Sequence, residues 1–277
     1  MTAIITLEAA NKKLNNSNVV FLDTQFIFGK SEFGRVYYEQ AHIPGAVYFH
    51  LDEDLSGSIL EHGGRHPIPD SHEFTEKLAL AGVNNDSEVI VYDNTGGSTA
   101  ARLWWLLMYF GHTNCYVLEQ PIQKWIEEGY EVTTVIPTPK KGTFSHVINE
   151  ALAVDMKNVL ENVKNEHRLL VDARTEEVYA GIKKTKYKKI GHIPGAVNIF
   201  WEQILDKDLR VKKQKDLKQV FEDIPTTKEI VVYCGAGVTA CANILALHEL
   251  GYPNVKLYVG SWGDWSSYKD TPIAVSK

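Results

Sequence analysis

One cysteine, Cys234, follows an apolar run, Val231-Val232-Tyr233, and precedes the short loop Gly235-Ala236-Gly237-Val238-Thr239. The run is typical of a strand buried in a parallel sheet, and residues 239–250 are typical of a helix. Backbone N–H groups at the start of such a helix form a concave anion site, which favours the nucleophilic thiolate form of cysteine. We therefore predict that Cys234 is a catalytic nucleophile and that its loop binds the reacting anion.

The other two cysteines are predicted to be packing residues. Cys115 begins a short apolar strand, and Cys241 lies on an apolar helix face one turn beyond the loop. Three cysteines without a Cys-x-x-Cys pair indicate neither a disulfide framework nor a metal site. We therefore expect a reducing, cytoplasmic setting.

A repeat places Cys234 in the second of two similar halves. The block His-Ile-Pro-Gly-Ala-Val occurs at residues 42–47 and again at 192–197. Apolar runs flank both copies in the same order, at 19–23 and 88–92 in the first half and at 169–172 and 229–233 in the second. This pattern predicts an α/β fold in which each half is a mainly parallel sheet flanked by helices.

The two halves differ at the position of the cysteine. The residue of the first half that corresponds to Cys234 is Asp93, so we expect the first half to be catalytically inert. Two prolines and a glycine between residues 136 and 143 predict a linker. The expected domains are an inert one at 1–138 and a catalytic one at 150–277, joined by a linker at 139–149.

The composition argues against nucleic-acid and membrane partners. A net charge of -6 and a pI near 5.9 provide no basic face for phosphates. The apolar run at 103–110 is far shorter than the ~20 residues that span a bilayer, and it predicts a buried helix. The first lysine comes only after Glu8, so we expect no signal peptide and a cytoplasmic location.

Three motifs together resemble those of a known family. They are the paired His-Ile-Pro-Gly-Ala blocks, the sequence Cys234-Gly-Ala-Gly-Val-Thr-Ala240 and the closing sequence Gly260-Ser-Trp-Gly-Asp-Trp265. Over nearly the whole chain, the sequence is similar to the two-domain rhodanese family of sulfurtransferases. The resemblance implies two tandem rhodanese-like domains and no metal or organic cofactor. It also implies that a persulfide on Cys234 carries sulfur from a small anionic donor to cyanide, a thiol or a protein thiol.

The resemblance leaves the choice between two donors open. Family members that prefer thiosulfate carry cations just after the cysteine, whereas those that prefer 3-mercaptopyruvate have a glycine and then a small hydroxyl residue. This chain has Gly235, as in the second group, but Ala236 in place of the hydroxyl residue. It also has Val178 where the family has an arginine that holds the donor anion.

Other cationic residues could supply the missing charge. The segment Gly63-Gly-Arg65-His66-Pro67 resembles a family segment whose arginine and histidine reach the site, and Asp52 matches its acidic partner. Arginine can bind a carboxylate or sulfonate, and histidine can move a proton near pH 7. The lysine-rich run at 183–189 is a second candidate, although such runs are also typical of solvated surfaces. We predict that Arg65 and Lys186 bind substrate and that His66 and Asp52 assist catalysis.

Two alternative functions remain open at this point. Cysteine phosphatases share the strand, cysteine loop and helix, but they need an arginine six residues after the cysteine, where this chain has Ala240, and a loop one residue longer. A sulfur carrier would hold a persulfide on Cys234 for one protein partner. A carrier should load slowly from small donors, whereas an enzyme should turn over.

Overall fold

The computed structural model describes residues 2–276 and contains two compact units. Unit 1 contains the residues up to Gly57 together with Ile68–Asn149 and Leu205–Val211. Unit 2 contains Ser58–Pro67, Glu150–Ile204 and the residues from Lys212 onward. Each unit therefore includes one short segment from the other half of the sequence.

Unit 1 is built on a five-stranded parallel sheet. Its strands are β1 (Ile4–Ile5), β2 (Val19–Asp23), β3 (Val47–Tyr48), β4 (Glu88–Tyr92) and β5 (Cys115–Leu118), in the spatial order β1-β5-β4-β2-β3. Its helices are α1 (Leu7–Asn11), α2 (Phe33–Gln40), α3 (Ser71–Leu80), α4 (Ser98–Tyr109) and α5 (Ile122–Glu127). One core cluster of this unit includes Phe21, Ile90, Tyr92 and Trp125.

Unit 2 is built on a second five-stranded parallel sheet. Its strands are β6 (Ala153–Val154), β7 (Arg168–Asp172), β8 (Ala196–Asn198), β9 (Glu229–Tyr233) and β10 (Val255–Tyr258), in the spatial order β6-β10-β9-β7-β8. Its helices are α6 (Met156–Asn165), α7 (Glu176–Tyr179), α8 (Gln214–Val220), α9 (Ala240–Glu249) and α10 (Ser261–Trp265), with short 3-10 helices at Glu150–Leu152 and Trp201–Ile204.

The two sheets have equivalent strand orders, which confirms the α/β fold class predicted from the repeat. In the central strands, Asp23 is paired with Tyr92 in unit 1, and Asp172 is paired with Tyr233 in unit 2. Asp93 and Cys234 therefore occupy the same position, directly after the carboxyl end of a central strand. In open α/β sheets, ligands bind at this edge.

The apolar run at 103–110 belongs to α4 up to Tyr109, and the residues of that helix from Ser98 to Leu107 are all buried. Across residues 2–276, the structure contains no helix that combines the length and the hydropathy needed to cross a membrane.

Candidate active site

Cys234 is the first residue after β9, and only 2% of its surface is exposed. Its Sγ accepts a hydrogen bond from the N–H of Gly237 at 3.1 Å, and its own N–H donates to Oγ of Ser261 at 3.1 Å. The sulfur atom therefore lies inside the curl of its own loop, next to a backbone donor. Such a position stabilises a thiolate or another sulfur anion.

The two glycines of this loop serve different purposes. Gly237 has a φ of +78°, and a Cβ there would lie 2.3 Å from the carbonyl oxygen of Val259, so the curl requires glycine. Gly235 has no such backbone requirement. A Cβ at Gly235 would instead lie 3.0 Å from the hydroxyl oxygen of Tyr187, so this glycine leaves room for a neighbouring side chain.

Other backbone N–H groups of the loop are available to a bound anion. Within residues 2–276, no acceptor pairs with the N–H groups of Ala236, Val238 and Thr239. Helix α9 begins at Ala240, directly after these residues, so the partial positive charge of its N-terminus adds to theirs. The loop can therefore bind negative charge beyond that on Sγ.

Arg174 is a buried cation near this loop that the sequence analysis did not single out. It is 8% exposed, its Nε donates to Asp172 at 2.9 Å, and its guanidinium lies 4.5 Å from the ring centroid of Trp262. The charges of Arg174 and Cys234 are close enough to interact. The repeat contains a signal for this residue, because the equivalent position of the first half is the neutral Gln25.

The predicted segment with Arg65 and His66 folds as part of unit 2. Gly63 donates its N–H to Oδ1 of Asp264 at 2.8 Å, and the ring of His62 stacks on Tyr268 at 3.9 Å between centroids.

Backbone contacts of glycine residues link the same segment to the cysteine loop. A Cβ on Gly263 would lie 3.6 Å from Cα of Gly64 and 3.1 Å from the carbonyl oxygen of Gly235. Gly263 also donates its N–H to that carbonyl at 2.9 Å.

A pocket of about 250 Å³ lies beside this contact, and the residues that line it include Gly64, Arg65, Lys186, Tyr187 and Gly263. Arg65 and Lys186 are exposed, so both cations can meet an anion in the pocket. The pocket thus brings together two of the residues predicted to bind substrate.

The remaining predicted residues lie in more varied surroundings. His66 is half-buried in the segment that carries Arg65, and Asp52 is an exposed residue of unit 1. Val178 lies on helix α7. In the lysine-rich run, Lys189 donates to the carbonyl oxygen of Thr271 at 2.9 Å, so at least one of its lysines has a structural partner.

In unit 1, the loop that starts at Asp93 is closed around a carboxylate. The oxygens of Asp93 accept hydrogen bonds at 2.9–3.1 Å from the backbone N–H groups of Thr95, Gly97, Thr99 and Ala100. The hydroxyls of Thr95 and Thr99 donate to the same carboxylate at 2.9 and 3.0 Å. An anion supplied by the chain itself therefore occupies this loop.

A family model for the rhodanese-like domain matches this chain twice, at residues 6–128 and 155–268. The chain belongs to the rhodanese-like family.

Several relatives of this rhodanese-like chain are named as sulfurtransferases. The "Probable 3-mercaptopyruvate sulfurtransferase" of Pseudomonas aeruginosa is 32% identical over 276 residues, which cover 98% of this chain and 97% of that protein. The thiosulfate sulfurtransferase of Rattus norvegicus is 30% identical over 253 residues, which cover 88% of this chain and 84% of that protein. The 3-mercaptopyruvate sulfotransferase SseA of Escherichia coli is similar in structure, with a TM-score of 0.83 and 28% identity, over 95% of this chain and 99% of that one.

The other two cysteines of the rhodanese-like chain are buried. Burial raises the pKa of the Cys115 thiol well above its ordinary value, so that thiol stays protonated. Cys241 is fully buried, and its Sγ contacts the carbonyl oxygen of Gly237 at 3.5 Å. Among residues 2–276, no three histidine, cysteine, aspartate or glutamate side chains cluster in a way that could hold a metal ion.

Proposed function

We propose that this rhodanese-like protein is a sulfurtransferase that moves a sulfur atom from thiosulfate or 3-mercaptopyruvate to cyanide or a thiol through a persulfide on Cys234. The observation that carries the proposal is the position of Cys234 Sγ, which lies 3.1 Å from the N–H of Gly237 inside a loop with unused backbone donors. Relatives that are 30–32% identical are named for this activity.

In the first half-reaction, the Cys234 thiolate attacks the outer sulfur of the donor and a new S–S bond forms. With thiosulfate, the old S–S bond breaks and sulfite leaves with its electron pair. With 3-mercaptopyruvate, the C–S bond breaks and the pair stays on carbon as the enolate of pyruvate. That enolate takes up the proton that the donor's thiol had carried, so both routes leave an anionic persulfide on Cys234.

In the second half-reaction, the acceptor attacks the outer sulfur of the persulfide. Cyanide forms a C–S bond and leaves as thiocyanate, while the electron pair of the broken S–S bond returns to Cys234 as a thiolate. A thiol or protein thiol acceptor takes the same sulfur and becomes a persulfide. The cysteine thus returns to its starting state, and the cycle needs no metal or organic cofactor.

The other residues of the site have roles in binding the anions and in proton transfer. The N–H groups of the loop from Gly235 to Thr239 hold the persulfide charge. Arg65 and Lys186 attract the carboxylate or sulfonate of the donor, since both line the adjacent pocket. We expect His66 to move a proton near neutral pH and Asp52 to assist catalysis.

The two domains play unequal parts in this proposal. The catalytic domain is the second one, residues 150–277, and it is completed by the segment that carries Arg65. The first domain, residues 1–138, has Asp93 where a cysteine would be needed and is inert in sulfur transfer. We place the protein in the cytoplasm, where its three free cysteines stay reduced.

The experiment is to incubate the protein with each donor, remove the excess donor and locate the added sulfur atom by mass spectrometry as a gain of about 32 Da. We expect it on Cys234, and we expect Cys234→Ser to lose turnover by about a thousandfold or more. Cys115→Ala is the matched control, and it should keep both the added sulfur on Cys234 and the turnover. Sulfur on Cys115 or Cys241, or turnover by Cys234→Ser, would contradict the proposal.

The same preparation separates an enzyme from a carrier. An enzyme should form many equivalents of thiocyanate per Cys234 with at least one of the two donors. A carrier should load once and then wait for its protein partner. The phosphatase alternative is not favoured, because Ala240 fills the position of the required arginine and is fully buried.

A further inference from the structure

Tyr187 lies against the open side of the Cys234 loop, although it sits in the lysine-rich run. Its hydroxyl oxygen is 3.0 Å from the position of a Cβ on Gly235, and its Cε1 is 3.2 Å from that of a Cβ on Gly263. Two glycines that are far apart in the sequence thus leave room for one aromatic ring. A Cβ at either position would be in tight contact with the ring, which would have to shift by a few tenths of an ångström.

The hydroxyl of Tyr187 faces this site without a partner. Within residues 2–276, no group forms a hydrogen bond with it, although the side chain is half-buried and packs against a core cluster of unit 2. A half-buried hydroxyl without a partner is available to a ligand.

The surroundings of Tyr187 also fix its protonation state. Burial and the nearby charge of Cys234 raise the pKa of Tyr187 to about 12, against the opposite influence of Arg65 and Arg174. The hydroxyl therefore stays protonated at neutral pH and can donate a hydrogen bond. Tyr187 thus has charge interactions with both Cys234 and Arg65, and it helps to line the pocket of about 250 Å³.

The two candidate donors differ in what such a hydroxyl could do. When the C–S bond of 3-mercaptopyruvate breaks, negative charge develops on the neighbouring carbonyl oxygen as the enolate forms. A neutral donor that meets this oxygen binds the transition state more strongly than the ground state and so raises kcat. Thiosulfate has no carbonyl, and its sulfonate oxygens carry their negative charge before and after the reaction.

We propose that Tyr187 is a catalytic residue that donates a hydrogen bond to the carbonyl oxygen of an α-keto thiol donor while the C–S bond breaks. The proposal rests on the sulfurtransferase function proposed above and adds a residue that selects between its donors. It makes 3-mercaptopyruvate, rather than thiosulfate, the donor to which this site is adapted.

The test compares Tyr187→Phe with the unaltered protein on both donors, with cyanide as acceptor. We expect kcat with 3-mercaptopyruvate to fall by about tenfold to a hundredfold, as for the loss of one oxyanion donor or somewhat less. We expect kcat with thiosulfate to stay within about twofold, because that reaction does not use the hydroxyl. Tyr252→Phe is the matched control, since its hydroxyl donates to the carbonyl of Ile224 at 2.8 Å, and it should leave the ratio of the two rates unchanged.

Two results would overturn the role of Tyr187: unchanged rates with both donors, or an equal fall with both, which would indicate a structural role only. These results differ from failure of the proposed function, in which the unaltered protein forms no persulfide on Cys234 from either donor.

A second variant tests the geometry independently. Gly235→Ala places a methyl group 3.0 Å from the present position of the Tyr187 hydroxyl, so that hydroxyl must shift by a few tenths of an ångström. We expect a loss that is again selective for 3-mercaptopyruvate but smaller than that of Tyr187→Phe. In the Tyr187→Phe background, the same substitution should cause little further loss, because the displaced group is already gone. Losses that multiply in the double variant would contradict the contact and the proposal with it.

Discussion

The loops at Asp93 and Cys234 follow equivalent strands, and they use their backbone donors in opposite ways. At Asp93, four N–H groups and two hydroxyls are satisfied by a carboxylate of the chain itself. At Cys234, the sulfur takes the N–H of Gly237, while those of Ala236, Val238 and Thr239 have no acceptor within the described chain. One loop is closed around a carboxylate side chain of the protein itself, and the other has backbone donors left for a bound anion.

This difference shows how one fold can be used for stability or for chemistry. A buried carboxylate with a full set of donors stabilises the loop that surrounds it. A site that must bind and release charge cannot be satisfied in its resting state. We therefore expect substitutions at Asp93 to act on folding and substitutions in the Cys234 loop to act on the reaction.

The largest expected effect is the loss of stability in Asp93→Ala. Removal of the carboxylate leaves several buried donors without acceptors, which should lower the free energy of unfolding by about 3–5 kcal/mol. Urea unfolding followed by circular dichroism measures the change. The matched variant is Cys234→Ala, which removes only one sulfur contact and should cost about 1 kcal/mol. Equal losses in the two variants would refute the contrast between the loops.

The next effect concerns Asp23 and Asp172, the last residues of strands β2 and β7. Asp172 has the cation Arg174 as a buried partner, whereas Asp23 has neutral partners such as Gln25, and burial raises the pKa of Asp23 to about 7. The folded protein therefore binds more protons than the unfolded chain between about pH 4 and pH 7. Its stability should fall across this window by up to a few kcal/mol as the pH rises.

Unfolding experiments at pH 5 and pH 8 test this expectation. Asp23→Asn should remove most of the decrease, because the amide has no proton to lose in this range. Asp172→Asn should instead be less stable at both pH values, since it leaves Arg174 buried without its partner. A decrease of the same size in Asp23→Asn and in the unaltered protein would exclude Asp23 as its source.

The smallest effect should come from a cation added to the Cys234 loop. A side chain at Gly235 would meet Tyr187, so the suitable position is the half-buried Ala236. Ala236→Arg should raise kcat/KM for thiosulfate by about tenfold, because one charge contact to a compact dianion contributes roughly 1.5 kcal/mol. Ala236→Gln adds a side chain of similar length without a charge, so it should not raise kcat/KM for thiosulfate. Equal gains in both variants would mean that charge is not what the loop lacks.

Much of this site could be predicted because its signals are local in the sequence. The buried strand β9, the glycines and the start of α9 follow one another within about twenty residues, so strand pattern and turn chemistry predict the loop around Cys234. The repeat likewise predicted a parallel sheet flanked by helices in each half, and it identified Asp93 as the counterpart of Cys234. Arg174 could have been found by the same comparison, because Gln25 is its counterpart.

Other parts of the site depend on contacts between distant residues. Tyr187 stands in a run of lysines, which is typical of a solvated surface, and its neighbours Gly235 and Gly263 are 48 and 76 positions further along the chain. No periodicity connects these residues. The assignment of Ser58–Pro67 to unit 2 is equally invisible in the sequence, because it results from contacts such as that of Gly63 with Asp264.

Ser58–Pro67 folds with unit 2 although it is encoded among residues of unit 1, and Leu205–Val211 does the reverse. A gene that lost either half would therefore also lose a piece of the surviving unit. If the repeat arose by duplication, neither copy could be discarded or shuffled separately once these segments had been exchanged. The half that carries Asp93 therefore supplies a segment of unit 2, whether or not it has chemistry of its own.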